Sequence, residues 1–366
     1  LARAVAGLCR ALVGRGHDVT VLTALLDAAH PRLETVGGVR VRRVPAFLKR
    51  VLAPWSAGLW PLLKAELEHT ELVHLHGLRS GMAVTTYRAC EKAGSPWVLQ
   101  PHGAWPHHDR FVLVKLAFDS LWGHRMLHLA HSLVAVSQAE ARDLGREAHV
   151  VGNGVDGVGS APRTDRRGFY RVLFVGDDSP QERSDLLPDL LAELPAVRLH
   201  VVGRFGRRFL GRFGPFANRV TLDGPLQGQA LASAYASADL LVRPAVNEAF
   251  DPAPFEAALV GTPAVVAGGH GSGEWFAKAG GCVVTPDDPV ALALAAQARL
   301  ADRAVAEREA AAVADFARRE LTWDRVAQAM EAVYDGVLKA WSAAPAPPAA
   351  AAAGGRQGAT PAIHRS

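Results

Sequence analysis

The stretch YRVLFVGDDSPQERSDLLPDLLAELPAVRLHVVG, residues 170–203, holds three apolar patterns in a row. YRVLFVG (170–176) is a short apolar run ending in glycine, as a buried strand does. SDLLPDLLAEL (184–194) spaces its leucines as a helix does, and VRLHVVG (197–203) reads as a second strand. Strand, helix and strand in that order predict a βαβ unit, and therefore a parallel sheet.

The alternation continues downstream. RVTLDG (219–224) reads as a strand, ALASAYASA (230–238) as a helix, and DLLVRP (239–244) and PAVVAG (263–268) as strands on either side of NEAFDPAPFEAALVGTP (247–263). It also runs upstream. Val5, Leu8, Cys9, Leu12 and Val13 recur at helical spacing until Gly14 and Gly16 stop the helix. HDVTVLT (17–23), GVRVRRVP (38–45), ELVHLHG (71–77), PWVLQPHG (96–103), SLVAVS (132–137) and HVVGNGVD (149–156) follow as short strands and their exits.

Between the two series lies GVGSAPRTDRRG (157–168), polar and without periodicity, which reads as a linker. The fold class predicted is α/β, with two doubly wound Rossmann-like domains facing a cleft. The boundaries expected are 1–160 for the first domain and 169–321 for the second. A helix at 322–341 rejoins the first, and an Ala/Pro/Gly-rich tail at 342–366 is expected to be disordered.

A chain of 366 residues is long enough for two cores. Cys9, Cys90 and Cys282 are far apart and show no CxxC spacing, which argues against a zinc site or a disulfide framework and for a reducing, cytoplasmic setting. No apolar run is long enough to span a bilayer. The net charge of +4 suits an anionic partner without selecting one. In doubly wound sheets, ligands bind outside the carboxyl ends of the strands. His76, His102, Ser137, Asn153, Gly176, Gly203 and Glu248 all stand there.

These segments, in this order, resemble the two-domain GT-B glycosyltransferases, specifically the retaining enzymes of family 4. RGHDVTVLT, GVRVRRVP, LVHLHG, QPHG, VAVS, NGVD, LFVG, HVVG, ASADLLVRP and EAFDPAPFEAALVGTPAVVAG carry the likeness, from residue 1 to about 341. The two glutamates separated by seven residues and followed by Gly-Thr-Pro form its most specific block. The resemblance implies transfer of a sugar from a nucleotide-diphosphate-sugar donor to a glycan or lipid-linked acceptor, with no metal or other cofactor. It implies that Glu248 contacts the donor sugar, that Glu256 takes the nucleotide ribose, and that His102 hydrogen-bonds the donor sugar. Gly176, Asn153 and Phe250 fall at further donor-side positions. Carboxylates suit such roles, since each accepts several hydroxyl donors. The alternatives are a catalytically impaired relative that binds sugar nucleotides as a scaffold, and a sugar-nucleotide epimerase on the same fold.

Three departures from the family pattern stand out. The chain opens inside the first helix, where the family has a preceding strand and a Gly-Gly loop, so an N-terminal sheet without its central strand is expected. The arginine and lysine with which the family holds the donor diphosphate are here Asp177 and Glu182. Arg183 and Arg204 are the expected substitutes, with Arg207 and Arg208 nearby; a divalent ion on Asp177 and Asp178 is a bolder alternative. Third, the family's Gly-Phe-Gly is here Ala249, Phe250 and Asp251, and Asp251 is expected to narrow the pocket, cap the helix or alter donor choice.

VLAPWSAGLWPLLK (51–64) sets Trp55 and Trp60 beside Lys49, Arg50 and Lys64, as an interfacial segment does, which makes an anionic inner-membrane surface a candidate partner. The alternative is a loop and helix packed on the core. GRFGRRFLGRFG (203–214) interleaves Arg and Phe, but its place after a strand favours phosphate contact in the cleft over nucleic acid. His74, His76, His107 and His108 show no spacing that would make them a metal set.

Overall fold

The computed structural model describes residues 1–47, 54–105, 111–159, 168–206 and 208–343. Lys49, Arg50, His107, His108, Arg207, most of the expected linker and the expected tail from 344 lie outside the described residues.

The C-terminal half is built on six parallel strands. They are β8 (Tyr170–Asp177), β9 (Val197–Arg204), β10 (Val220–Asp223), β11 (Leu240–Arg243), β12 (Ala264–Ala267) and β13 (Cys282–Val284), in the order β10-β9-β8-β11-β12-β13. The strand order therefore reverses between β8 and β11, which places the ligand crevice beyond Gly176 and Arg243. Val172, Phe174, Leu199, Val201 and Leu240 pack on one face with leucines 187, 190 and 191. Leu173, Val202, Leu241 and Val266 pack on the other with Tyr235, Phe255 and Val313. Burial on both faces is why these strands read as unbroken apolar runs.

The N-terminal half holds two sheets. β1 (Thr20–Leu25) pairs in parallel with β3 (Val39–Pro45), and β2 (Leu33–Val36) adds to β3 in antiparallel fashion. The second sheet runs β4 (Val73–His76), β5 (Trp97–Gln100), β6 (Ser132–Ala135) and β7 (His149–Val150), all parallel. Among the described residues β1 pairs only with β3, and β4 only with β5. Their open edges line a cavity of about 1460 Å³.

The helices connect the strands. In the first half they are α1 (Ala2–Gly14), α2 (Leu59–Leu67), α3 (Gly81–Ala93), α4 (Val112–Phe118), α5 (His124–Leu129) and α6 (Gln138–Leu144). In the second they are α7 (Leu187–Glu193), α8 (Gly228–Ala236), α9 (Ala253–Leu259), α10 (Gly271–Lys278), α11 (Pro289–Ala301) and α12 (Arg303–Glu320). The last helix, α13 (Trp323–Ala343), crosses back to the first half. Its Val326, Met330 and Val333 pack with Leu8 and Leu12 of α1 and with Val98 and Val134 of β5 and β6. Among the described residues no helix is long and apolar enough to cross a membrane.

Candidate active site

The cavity between the N-terminal sheets continues to the carboxyl end of the C-terminal sheet, where Gln181 and Asn247 join His76, His102 and Gly103 in its lining. Backbone strain gathers at this junction. His102, Arg183 and Asn247 carry φ values of 56°, 50° and 60°. Such conformations are costly for non-glycine residues and collect at functional sites.

His102 leaves β5 on the QPHG turn. Its Nε2 lies 2.9 Å from Nδ1 of His76, and the rings are tilted with centroids 5.2 Å apart. His76 stacks in turn on His74, whose Nδ1 is 2.7 Å from the Tyr334 hydroxyl of α13. Burial lowers the pKa of all three histidines, to about 4 for His76, so the stack is neutral at physiological pH.

The turn is moored by a residue the sequence reading did not single out. Glu140, 3% exposed, accepts from Gly103 N at 2.5 Å and from Val136 N at 2.7 Å. Its own N–H caps on Ser137 Oγ, so the SQAE tetrad is a variant capping box that holds the His102 loop as well as the start of α6. Asn153 lies near the same histidines, in a small crevice also lined by Ala4 and Leu8 of α1.

Glu248 follows the strained Asn247. Its backbone carbonyl accepts from Ser272 N at 3.3 Å, while its carboxylate makes no hydrogen bond among the described residues. Burial, reinforced by Asp251 and partly offset by Arg243, raises its pKa to about 7. A partly buried carboxylate with no hydrogen bond among the described residues, next in the chain to the cavity-lining Asn247, has acceptor capacity for ligand hydroxyls. The backbone here is closely packed: a Cβ on Gly271 would overlap the Ala249 carbonyl.

Glu256 is placed differently. It is 2% exposed, and its oxygens accept from Tyr235 Oη and from Arg3 Nη2 of α1, each at 3.0 Å. Burial raises its pKa, and Arg3 and the tyrosine hydroxyl work against that shift. Arg3–Glu256 therefore joins the two halves across the cleft.

The acidic departures from the family pattern form one structure. Arg243, 4% exposed at the end of β11, donates from Nε to Asp251 at 2.5 Å, and from Nη1 to Glu182 at 2.6 Å and to the Val175 carbonyl. Asp251 also accepts from Ala253 N at 3.0 Å, so of its expected roles the helix cap is observed, together with an ion pair that was not foreseen. The triad lies against Gly176, where a Cβ would crowd Glu182 and Arg243. Gly203 is needed at the next strand end: at φ 143° its Cα faces the Gly176 carbonyl with no room for a Cβ.

Several expectations need correction. Arg183 is ion-paired with Asp185 at 3.0 Å and with Asp287, so this conformation does not present it as a free cation. Phe250 is 8% exposed and stacks on Phe255 with centroids 5.8 Å apart; it is a core ring. Asp178 pairs with Arg212 at 2.7 Å, and Asp177 accepts from Ser179 N. Among the described residues no three His, Cys, Asp or Glu side chains are grouped to hold a metal ion. Arg204 remains exposed at the end of β9, in register with Asp177. In the Arg/Phe stretch, Phe205 packs on Phe209 with a tilt and Phe209 meets Phe213 edge-on, with Phe209 and Phe213 buried.

Residues 1–157 match the family model described as Glycosyltransferase Family 4, and residues 170–302 match the one described as Glycosyl transferases group 1. Similar curated proteins include the D-inositol 3-phosphate glycosyltransferases of Mycobacteroides abscessus and Mycolicibacterium smegmatis. The first is 28% identical, over 70% of this chain and 66% of that protein. The second is 26% identical, over 94% of this chain and 88% of that protein. Among solved structures, sucrose-phosphate synthase from Thermosynechococcus elongatus aligns with a TM-score of 0.74 at 21% identity, covering 92% of this chain and 93% of that one. Anabaena HepE in complex with UDP-glucose aligns at 0.63 and 21% identity, covering 82% and 87%. WaaG, a glycosyltransferase involved in lipopolysaccharide biosynthesis, aligns at 0.64 and 16% identity, covering 92% and 95%. At these identities the structural likenesses establish the fold.

Proposed function

We propose that this chain, matched over residues 1–157 by the Glycosyltransferase Family 4 model and over 170–302 by the Glycosyl transferases group 1 model, is a GT-B glycosyltransferase that transfers a sugar, with retention, from a nucleotide-sugar donor to a glycan or lipid-linked acceptor in cell-surface polysaccharide or glycolipid assembly. The observation that carries this reading is the Glu248 carboxylate, which makes no hydrogen bond among the described residues and directly follows Asn247, a residue that lines the same cavity as His102. UDP-sugars are the first donors to test, because the HepE structures hold UDP and UDP-glucose.

In this reading Glu248 and His102 bind the hydroxyls of the donor sugar and fix the anomeric carbon in the cleft. The bond from C1 to the phosphate oxygen breaks, the acceptor oxygen forms its bond to C1 on the same face, and the acceptor proton passes to the leaving phosphate. Orientation of this kind lowers the barrier without any covalent step by the protein. Arg204, exposed at the end of β9, supplies positive potential for the departing diphosphate. The ribose hydroxyls reach Glu256 by taking the place of Arg3.

The test is an assay of nucleotide release against a panel of nucleotide sugars with glycan and lipid-linked acceptors, with the anomeric configuration of the product read by NMR. Product of inverted configuration would contradict retention. The second reading, a sugar-nucleotide-binding scaffold, draws support from Asp177, from the engaged Arg183 and from the closed Arg243 triad. Donor binding without turnover on any acceptor would favour it.

A further inference from the structure

His76 and His102 share a single hydrogen-bond proton across 2.9 Å, between Nδ1 of the first and Nε2 of the second. Burial keeps both rings neutral. A neutral imidazole carries one N–H, so one ring must donate and the other accept. Which ring donates decides what the second nitrogen of His102 offers to a ligand.

β4 and β5 set His76 opposite Gln100 in register. Gln100 is 2% exposed, and it lines one small crevice together with His76, His102 and Asn153. Its side chain hydrogen-bonds the His76 ring in the sense that favours a protonated ring, so the ring donates and the amide oxygen accepts. Nδ1 of His76 is engaged with His102, so the proton given to Gln100 sits on Nε2 and Nδ1 is a bare acceptor. The bond between the rings therefore runs from His102 Nε2–H to His76 Nδ1. The single proton of His102 is used there, and its Nδ1 carries a lone pair. Stacking on His74, with centroids 4.0 Å apart, holds the plane of the His76 ring.

We propose that Gln100 and His76 are positioning residues that fix the tautomer of His102, so that its Nδ1 meets the donor sugar as an acceptor for a hydroxyl group. The sugar contact rests on the reading of His102 given under the proposed function; the tautomer does not. Together with Glu248, His102 gives the donor sugar two acceptors. That pair suits sugars with free hydroxyls and disfavours a carboxylate presented to His102, where lone pair would face lone pair.

The experiment is nitrogen NMR of the ligand-free full chain, labelled at histidine, for the wild type, Q100L, Q100E and H76N. H102A identifies the His102 signals, and thermal melting checks that each variant folds. Protonated and bare ring nitrogens are well separated in shift. The wild type is expected to carry the proton on Nε2 of both rings. Q100E sets a carboxylate against His76 and charges it, so His76 donates from Nδ1 and His102 turns over to its Nδ1–H form. Q100L removes the constraint and populates both forms. H76N keeps the wild-type tautomer of His102, because its amide oxygen can accept from Nε2–H. In transfer assays kcat/KM should fall roughly tenfold in Q100L and Q100E and hold better in H76N, with nucleoside diphosphate affinity unchanged in all three. The proposal is overturned if wild-type His102 is protonated at Nδ1, if Q100L and Q100E both keep the wild-type tautomer, or if Q100E turns the ring over without loss of kcat/KM. Absence of any turnover by the wild type would fail the proposed reaction, while the NMR result still decides the tautomer.

Discussion

Replacing Arg243 with methionine removes the shared cation of a buried triad and leaves two carboxylates facing each other. Arg243 is 4% exposed, and its partners Asp251 and Glu182 sit at 2.5 and 2.6 Å. Removing one member of such a pair costs about 3–5 kcal/mol, because the remaining charge stays buried and unpaired. For a unit of this size that is a fall in melting temperature of roughly 6–20 °C. The pH dependence follows from the sign of the shift. Burial already raises the pKa of Glu182 against the pull of Arg243, and loss of the arginine raises it further. A carboxyl group whose folded pKa lies above its unfolded value carries no penalty when both states are protonated. The penalty grows as pH rises from the unfolded value through the folded one. R243M is therefore expected to be much less stable than the wild type at about pH 8 and closer to it at about pH 5. R243M/E182Q/D251N should recover most of the loss, because neutral residues remove the unpaired charges and asparagine keeps an oxygen for Ala253 N. Calorimetric melting of the three proteins at both pH values checks this. The reasoning is refuted if R243M melts like a surface variant, or if the triple variant is no more stable than the single one.

Three further predictions concern the cleft. Because the Glu248 pKa stands at about 7, kcat/KM for transfer should fall about tenfold per pH unit well below that value, as the acceptor carboxylate takes up a proton; a profile that stays level down to about pH 6 would separate Glu248 from the reaction. Arg3→Ala should tighten nucleoside diphosphate binding by up to about fivefold, since it removes a competitor for Glu256 that is itself 68% exposed and so contributes little stability; weaker binding in calorimetry would mean that Arg3 contacts the ligand instead. Glu140→Ala removes the acceptor of two N–H groups, the buried one of Val136 and the part-buried one of Gly103, and should cost about 1–3 kcal/mol and slow transfer while nucleotide affinity holds; unchanged melting and turnover would deny it the role of mooring His102.

The strands of the second half were legible because both sheet faces are buried, which writes each strand as an apolar run ending at a glycine or a polar turn. The strand-end positions of His102, Glu248 and Gly176 followed from that alternation. β2 was missed: it is short, mostly exposed and only weakly alternating. Gly37 and Gly38, with φ values of 56° and 81°, were its one clear signal, as a two-residue hairpin turn. Phe250 and Arg183 were misplaced because chain position cannot say which way a side chain turns. Phe250 turned into the core, and Arg183 turned to Asp185, only two residues along, and to the distant Asp287. The Arg243 triad was out of reach, since its members are scattered over three segments and meet only where β8 lies beside β11. Glu140, by contrast, was spelled out in SQAE and overlooked.

The most direct test is nucleotide release from a UDP-sugar in the presence of acceptor, measured for the wild type and Glu248→Gln alongside calorimetric UDP binding. The account predicts turnover by the wild type, a loss of about 100-fold or more in the variant and nearly equal UDP affinity for both, because Glu248 is assigned to the sugar and not to the nucleotide. Equal turnover by the two proteins, or no binding of any nucleotide sugar by the wild type, would contradict it.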